Sequence, residues 1–122
     1  MNWAQAEILL KEKIVVTNKS LDSSGKSKYK IVKHIPDFYC SNYNEVGFQI
    51  QVGANAFINV PMSMLQKVFK ASLQNGYEKA IFNTYYPKEY NNKPCYVHAI
   101  GLLFQQAGVM LPVSSRKYKI VK

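Results

Sequence analysis

"PCYVHAIGLLFQQAGVMLPVSSRKYKIVK" ends the chain at residues 94–122. Pro94 can open a helix, because the first-turn N–H it lacks has no partner there anyway. Tyr96, Val97, Ile100, Leu103, Phe104 and Ala107 recur at helical spacing and share one arc. Gly108 is a suitable stop. "VMLPV" and "YKIVK" then read as two strands around a polar turn at 114–117. A helix followed by a hairpin fixes how the segments before it are read.

Upstream, "PKEYNNKP" (87–94) reads as a loop with a proline at each end, and "EKAIFNTYY" (78–86) as a short helix closed by Pro87. "SMLQKVFKASLQNG" (63–76) is the strongest helical pattern in the chain. Leu65, Val68, Phe69, Ser72 and Leu73 fall on one side, with Gln66, Lys67, Lys70 and Gln74 opposite. Ser63 is placed to cap its start, and Asn75-Gly76 to end it. "GFQIQV" and "AFINV" predict a hairpin over 47–60. Phe48, Ile50 and Val52 would share one face, and Ala56, Ile58 and Val60 another. Residues 2–12 predict a helix capped by Asn2 with Gln5 at the reciprocal position. Its inner stripe is Trp3, Ala6, Leu9 and Leu10, and Glu7 can pair with Lys11 outside. "IVVT" (14–17) and a short segment at 38–41 read as further strands, with a loop from Asn18 to Lys26.

The chain has 122 residues, enough for one compact domain with a core. Sixteen Lys and Arg against seven Asp and Glu give a net charge of +9, which favours a polyanionic partner. Fifteen of the sixteen are Lys, the less specific fork for phosphates and bases. The two cysteines, Cys40 and Cys95, are too few for a disulfide framework and fit a reducing compartment. "MNWAQAEILLKEK" lacks the pattern of a signal peptide, and no apolar run has the length of a membrane span. The expected location is cytoplasmic, with no membrane partner.

"KYKIVK" occurs twice, at 28–33 and 117–122. Two explanations fit. Either both copies are strands with a Tyr/Ile face inward and lysines that keep edges from pairing, or their lysines touch phosphate.

From residue 63 the order is helix, short helix, helix, hairpin. On that order, the "Ala107-Gly108-Val109" exit and the turn Ser114-Ser115-Arg116-Lys117-Tyr118, residues 63–122 resemble a winged helix-turn-helix domain. The resemblance implies that residues 95–107 form a recognition helix and that the terminal hairpin is a wing on the phosphate backbone. His98, Gly101, Leu102, Gln105, Gln106 and Cys95 would face outward. Gln105 and Gln106 can read adenine, and Gly101 would allow close backbone approach. The same helix, carrying no Lys or Arg, also reads as one packed on both sides. The candidate nucleic-acid contacts are Lys28, Lys30, Lys33, Lys93, His98, Gln105, Gln106, Arg116, Lys117 and Lys119. Tyr85, Tyr86 and Tyr90 beside Lys88 and Lys93 suit stacking or phosphate contact, or fill a half-buried shell.

Enzymatic chemistry is not expected. Cys40, Cys95, His34 and His98 are the inventory of a zinc site, but without paired-knuckle spacing. "PDFYCSNYNEVGFQIQ" has the Pro-Asp start of a nuclease motif, yet Gln49-Ile50-Gln51 stands where an acid and a Lys are needed. No cofactor and no metal are expected. The expected fold is α+β in a single compact domain, 1–122. An N-terminal helix and a small, mostly antiparallel sheet (1–60) precede a winged-helix-like half of three helices and a hairpin (61–122). The expected function is non-catalytic binding of nucleic acid, DNA in preference to RNA, as a regulator or targeting module. The alternative is a protein-interaction or assembly domain with incidental charge.

Overall fold

A computed structural model describes residues 1–13, 30–36, 46–53, 56–114 and 117–121, with only the backbone of 31–36 and 46. Among the described residues, five helices and two three-stranded antiparallel sheets make a mixed α+β fold. Lys28, Arg116 and the strands expected at 14–17 and 38–41 lie outside the described residues.

Helix α1 (Trp3–Lys13) starts on the expected reciprocal cap. The Asn2 N–H donates to Gln5 Oε1 at 3.0 Å, and the Gln5 N–H donates to Asn2 Oδ1 at 2.9 Å. Two first-turn donors are thus satisfied locally. Ala6 and Leu10 are buried, and Glu7 and Lys11 pair at 3.4 Å outside.

The first sheet runs β1 (Lys30–Pro36), β2 (Val46–Gln51), β3 (Phe57–Val60) in spatial order. Phe48 faces Val60 and Ile50 faces Ile58, the register expected from the alternation. All four side chains are at most 2% exposed. Burial of each contributes roughly 1.5–3 kcal/mol.

Helix α2 (Met62–Ala71) starts one residue earlier than expected. Pro61 holds an extended φ of −69° at the N-cap and its carbonyl accepts from Met64 and Leu65, so Ser63 lies inside the first turn. Leu65, Val68 and Phe69 are buried as expected, joined by Met62 and Met64. Ser72 is buried and its hydroxyl donates back to the Val68 carbonyl at 2.7 Å. Leu73 is 54% exposed rather than inward, because the helix has ended and the chain has turned away. Gly76 takes φ of 84°, and a Cβ there would run into the Tyr118 carbonyl.

Next come β4 (Tyr77–Glu78), α3 (Lys79–Tyr85), α4 (Pro87–Asn92), α5 (Cys95–Gln106), β5 (Met110–Ser114) and β6 (Lys117–Ile120). The loop expected at 87–94 is largely the helix α4. Proline is compatible with its first turn, and Lys93 N–H closes on the Glu89 carbonyl at 2.8 Å. Strand β4 is too short to show alternation and joins the terminal hairpin in a second sheet of order β4-β6-β5.

The two copies of KYKIVK therefore enter different sheets. The first leads into the edge strand β1, whereas β6 is a central strand. Edge protection cannot explain the second copy, since β6 pairs on both sides. Its Tyr118 is buried and its Lys119 exposed, as the inward/outward reading requires.

Both halves supply one core. Trp3 packs on Phe69 at 5.8 Å between centroids, and Phe69 on Phe104 of α5 at 6.4 Å. The outer edge of β3 is covered as well. Lys93 Nζ donates to the Phe57 carbonyl at 2.7 Å and the Tyr96 hydroxyl to the Asn59 carbonyl at 3.3 Å. Among the described residues no helix is long and apolar enough to cross a membrane.

Ile58→Asp places an unpaired carboxylate in this core. Its expected cost exceeds about 4 kcal/mol, most of the stability of a small domain. Circular dichroism should show no cooperative melt, whereas Asn59→Asp at the exposed neighbouring position should melt cooperatively.

Candidate nucleic-acid interface

Helix α5 is where the recognition surface was expected, and it is enclosed. Ala99 to Phe104 are all buried, six consecutive residues that cover every side of the helix. Gly101 faces the ring of Tyr118, and a Cβ would overlap that ring. The missing side chain makes room for a strand of the same chain, not for a DNA backbone. Leu102 is 6% exposed. Of the two readings of this helix, packing on both sides describes its middle. His98 near its start and Gln106 at its end are exposed, with Gln105 half-buried.

Of the remaining expected contacts, Lys30, Lys93, Lys117 and Lys119 have described side chains. Lys93 holds the β3 edge carbonyl described above. Lys30 is exposed at the start of β1, and the Lys33 side chain lies outside the described residues. Lys117 and Lys119 point to one face of β6, and Tyr118 between them to the other, as strand alternation demands.

The Lys face of the second sheet borders a groove of about 650 Å³ shared with Leu73, Val113, Ile120 and the end of α2. Leu111 pairs across from Lys119 and is 57% exposed; Val113 is 56% exposed. This face mixes cations with apolar side chains.

The Tyr118 face opens on a cleft of about 380 Å³ that sequence reasoning did not find. Tyr77 and Tyr118, paired across β4 and β6 with centroids 6.1 Å apart, form one wall. Pro94, Val97 and His98 from the start of α5 form another, and Lys79 and Tyr90 from α3 and α4 close it. Lys79 Nζ sits 5.4 Å from the centre of the Tyr90 ring, a cation–π contact. Lys67 and Tyr85 make a similar pair at 5.2 Å. The only signal in the sequence was tyrosine near lysine; the residues come from five elements.

Tyr77 anchors the cleft. Its hydroxyl donates to the Val97 carbonyl at 2.8 Å. Burial, and then the neighbouring Tyr118, push its pKa well above the usual phenol range. Burial also raises Tyr96. Among the described residues no three His, Cys, Asp or Glu gather as a metal site would require. Cys95 is a half-buried free thiol, while Cys40 lies outside the described residues.

The chain matches no family model, no curated protein and no solved structure.

Two stability experiments test this packing. Gly101→Ala should cost roughly 1–3 kcal/mol, because the added Cβ overlaps the Tyr118 ring and must displace it from the helix; an unchanged melting temperature would show that the ring is not seated there. The second uses pH. The folded pKa of Tyr77 is raised, so above pH about 10 the unfolded chain loses its proton first and stability falls with rising pH. Tyr77→Phe should lower stability near neutrality by about 1 kcal/mol through the lost hydrogen bond. It should also flatten the alkaline decline, read as melting temperature between pH 8 and 11.

Proposed function

We propose that this chain is a non-catalytic nucleic-acid-binding domain that prefers duplex DNA and holds it mainly through phosphate contacts. The observation that carries the reading is the distribution of charge over the helix-and-hairpin half. Residues 61–122 hold nine Lys and Arg against two Glu, a net +7 out of the chain's +9. The resemblance of that half to a winged helix-turn-helix supports the same partner. With α5 enclosed, base reading along its length is not part of the proposal. The hairpin, with Lys117 and Lys119, is the element offered to the backbone, and contacts of that kind position a protein without specifying sequence.

A second reading has its own observation. Leu73, Leu111 and Val113 are each more than half exposed, and Leu73 and Val113 border the groove that also contains Lys117 and Lys119. An exposed apolar group of this kind favours a protein partner.

DNA titrations at several salt concentrations separate the two. With six to ten phosphate contacts, affinity should fall on the order of a thousandfold or more between 50 and 200 mM salt. Changing Arg116, Lys117 and Lys119 to Gln should weaken every sequence alike and reduce the salt slope by about one unit per lost contact. Gln105→Ala and Gln106→Ala should leave sequence preference unchanged. A salt-independent titration, or wild-type binding by the folded triple variant, would hand the site to the protein-partner reading.

A further inference from the structure

The cleft beside the start of α5 plays no part in the phosphate contacts proposed for the hairpin. We infer that it receives one unstacked nucleobase carrying a phosphate, with Tyr90 as the stacking surface and Lys79 and His98 as the polar contacts. The inference rests on the nucleic-acid reading and extends it from the backbone to a base.

Four features of the cleft point to this ligand. Its volume of about 380 Å³ is near the lower end of small-ligand sites, which run roughly 300–1,000 Å³. Its lining is apolar where a base needs it to be: Pro94, Val97 and the half-buried ring of Tyr90, backed by the fully buried Tyr77 and by Tyr118, which is 7% exposed. Aromatic rings accept any base by stacking, without hydrogen-bond readout. Among the described residues, Lys79 and His98 are its nitrogen-bearing side chains and no carboxylate lines it, so an anionic ligand meets no like charge there.

The wall is also fixed before any ligand arrives. Tyr77 is fully buried and tied to the Val97 carbonyl, and the Tyr118 ring is packed against Gly101. A cleft backed by rings held in place loses little freedom when a base enters it. Tyr90, half-buried, and the exposed Lys79 and His98 complete the opening. A fully paired duplex has no base free to enter. A gap, an overhang or a mismatch does, because unstacking such a base costs least.

The test uses a duplex with a one-nucleotide gap carrying 2-aminopurine on the unpaired strand, beside the fully paired duplex. At saturation, the wild-type protein should shield the 2-aminopurine in the gap from acrylamide quenching, and adenosine 5′-monophosphate should compete for the shielding. Tyr90→Leu and Lys79→Ala should each weaken gapped-duplex binding roughly tenfold and leave the paired duplex unchanged. His98→Ala, at an exposed position, serves as a third variant should either of these melt early.

If both duplexes bind equally and 2-aminopurine stays open to the quencher, the cleft inference fails while nucleic-acid binding stands. If the monophosphate binds and neither duplex does, the cleft is a site for a free nucleotide and the DNA reading fails. If neither duplex nor the monophosphate binds, both fail.

Discussion

The ring of Tyr118 lies against Gly101, and the rest of the second half is arranged around that contact. A strand side chain meets a helix where the helix has none, so β6 can approach α5 closely. The same residue presents its carbonyl to Gly76, where a positive φ and the close approach both demand glycine. Tyr118 therefore joins the end of the chain to the turn after α2, to β4 through Tyr77, and to α5. This explains why one of the two identical hexapeptides is a central strand. Its tyrosine supplies the packing, and its lysines leave the sheet on the opposite face.

That contact also decides which parts of α5 can meet a partner. A helix that reads a groove needs a continuous exposed stripe, and here the middle turns are enclosed by the protein's own strand and core. The helix ends and the sheet faces are the surfaces left open. One face of the second sheet joins lysines to apolar side chains. The other joins tyrosines to a lysine and a histidine.

Lysine, the commonest charged residue, does more than carry charge. Lys93 satisfies an edge carbonyl of β3, and Tyr96 another, so the outer edge of the first sheet is tied to the segment that starts α5. Lys67 lies over the Tyr85 ring. A count of lysines along the sequence treats these as equal to Lys119, yet their surroundings differ. The local environment of each ammonium separates structural lysines from those available to a ligand.

The sequence by itself determined the elements with strong periodicity and local caps. The Asn2–Gln5 cap, the stripe of α2, the inward faces of the 47–60 hairpin and the terminal hairpin all follow from neighbours within a few residues, where physical contact and sequence spacing coincide. It did not reveal β4, whose two residues are too few for a period, or α4, whose Pro and Asn composition matches a loop equally well. It misplaced Ser63 and Leu73, since the boundaries of α2 are set by Pro61 and the turn at 72–75 rather than by the apolar stripe. The meaning of Gly101, the separation of the two KYKIVK strands and the tyrosine-lined cleft were decided only by the tertiary structure. Each depends on residues 17 or more positions apart brought together by packing, and no spacing along a single chain encodes which distant surface a side chain will meet.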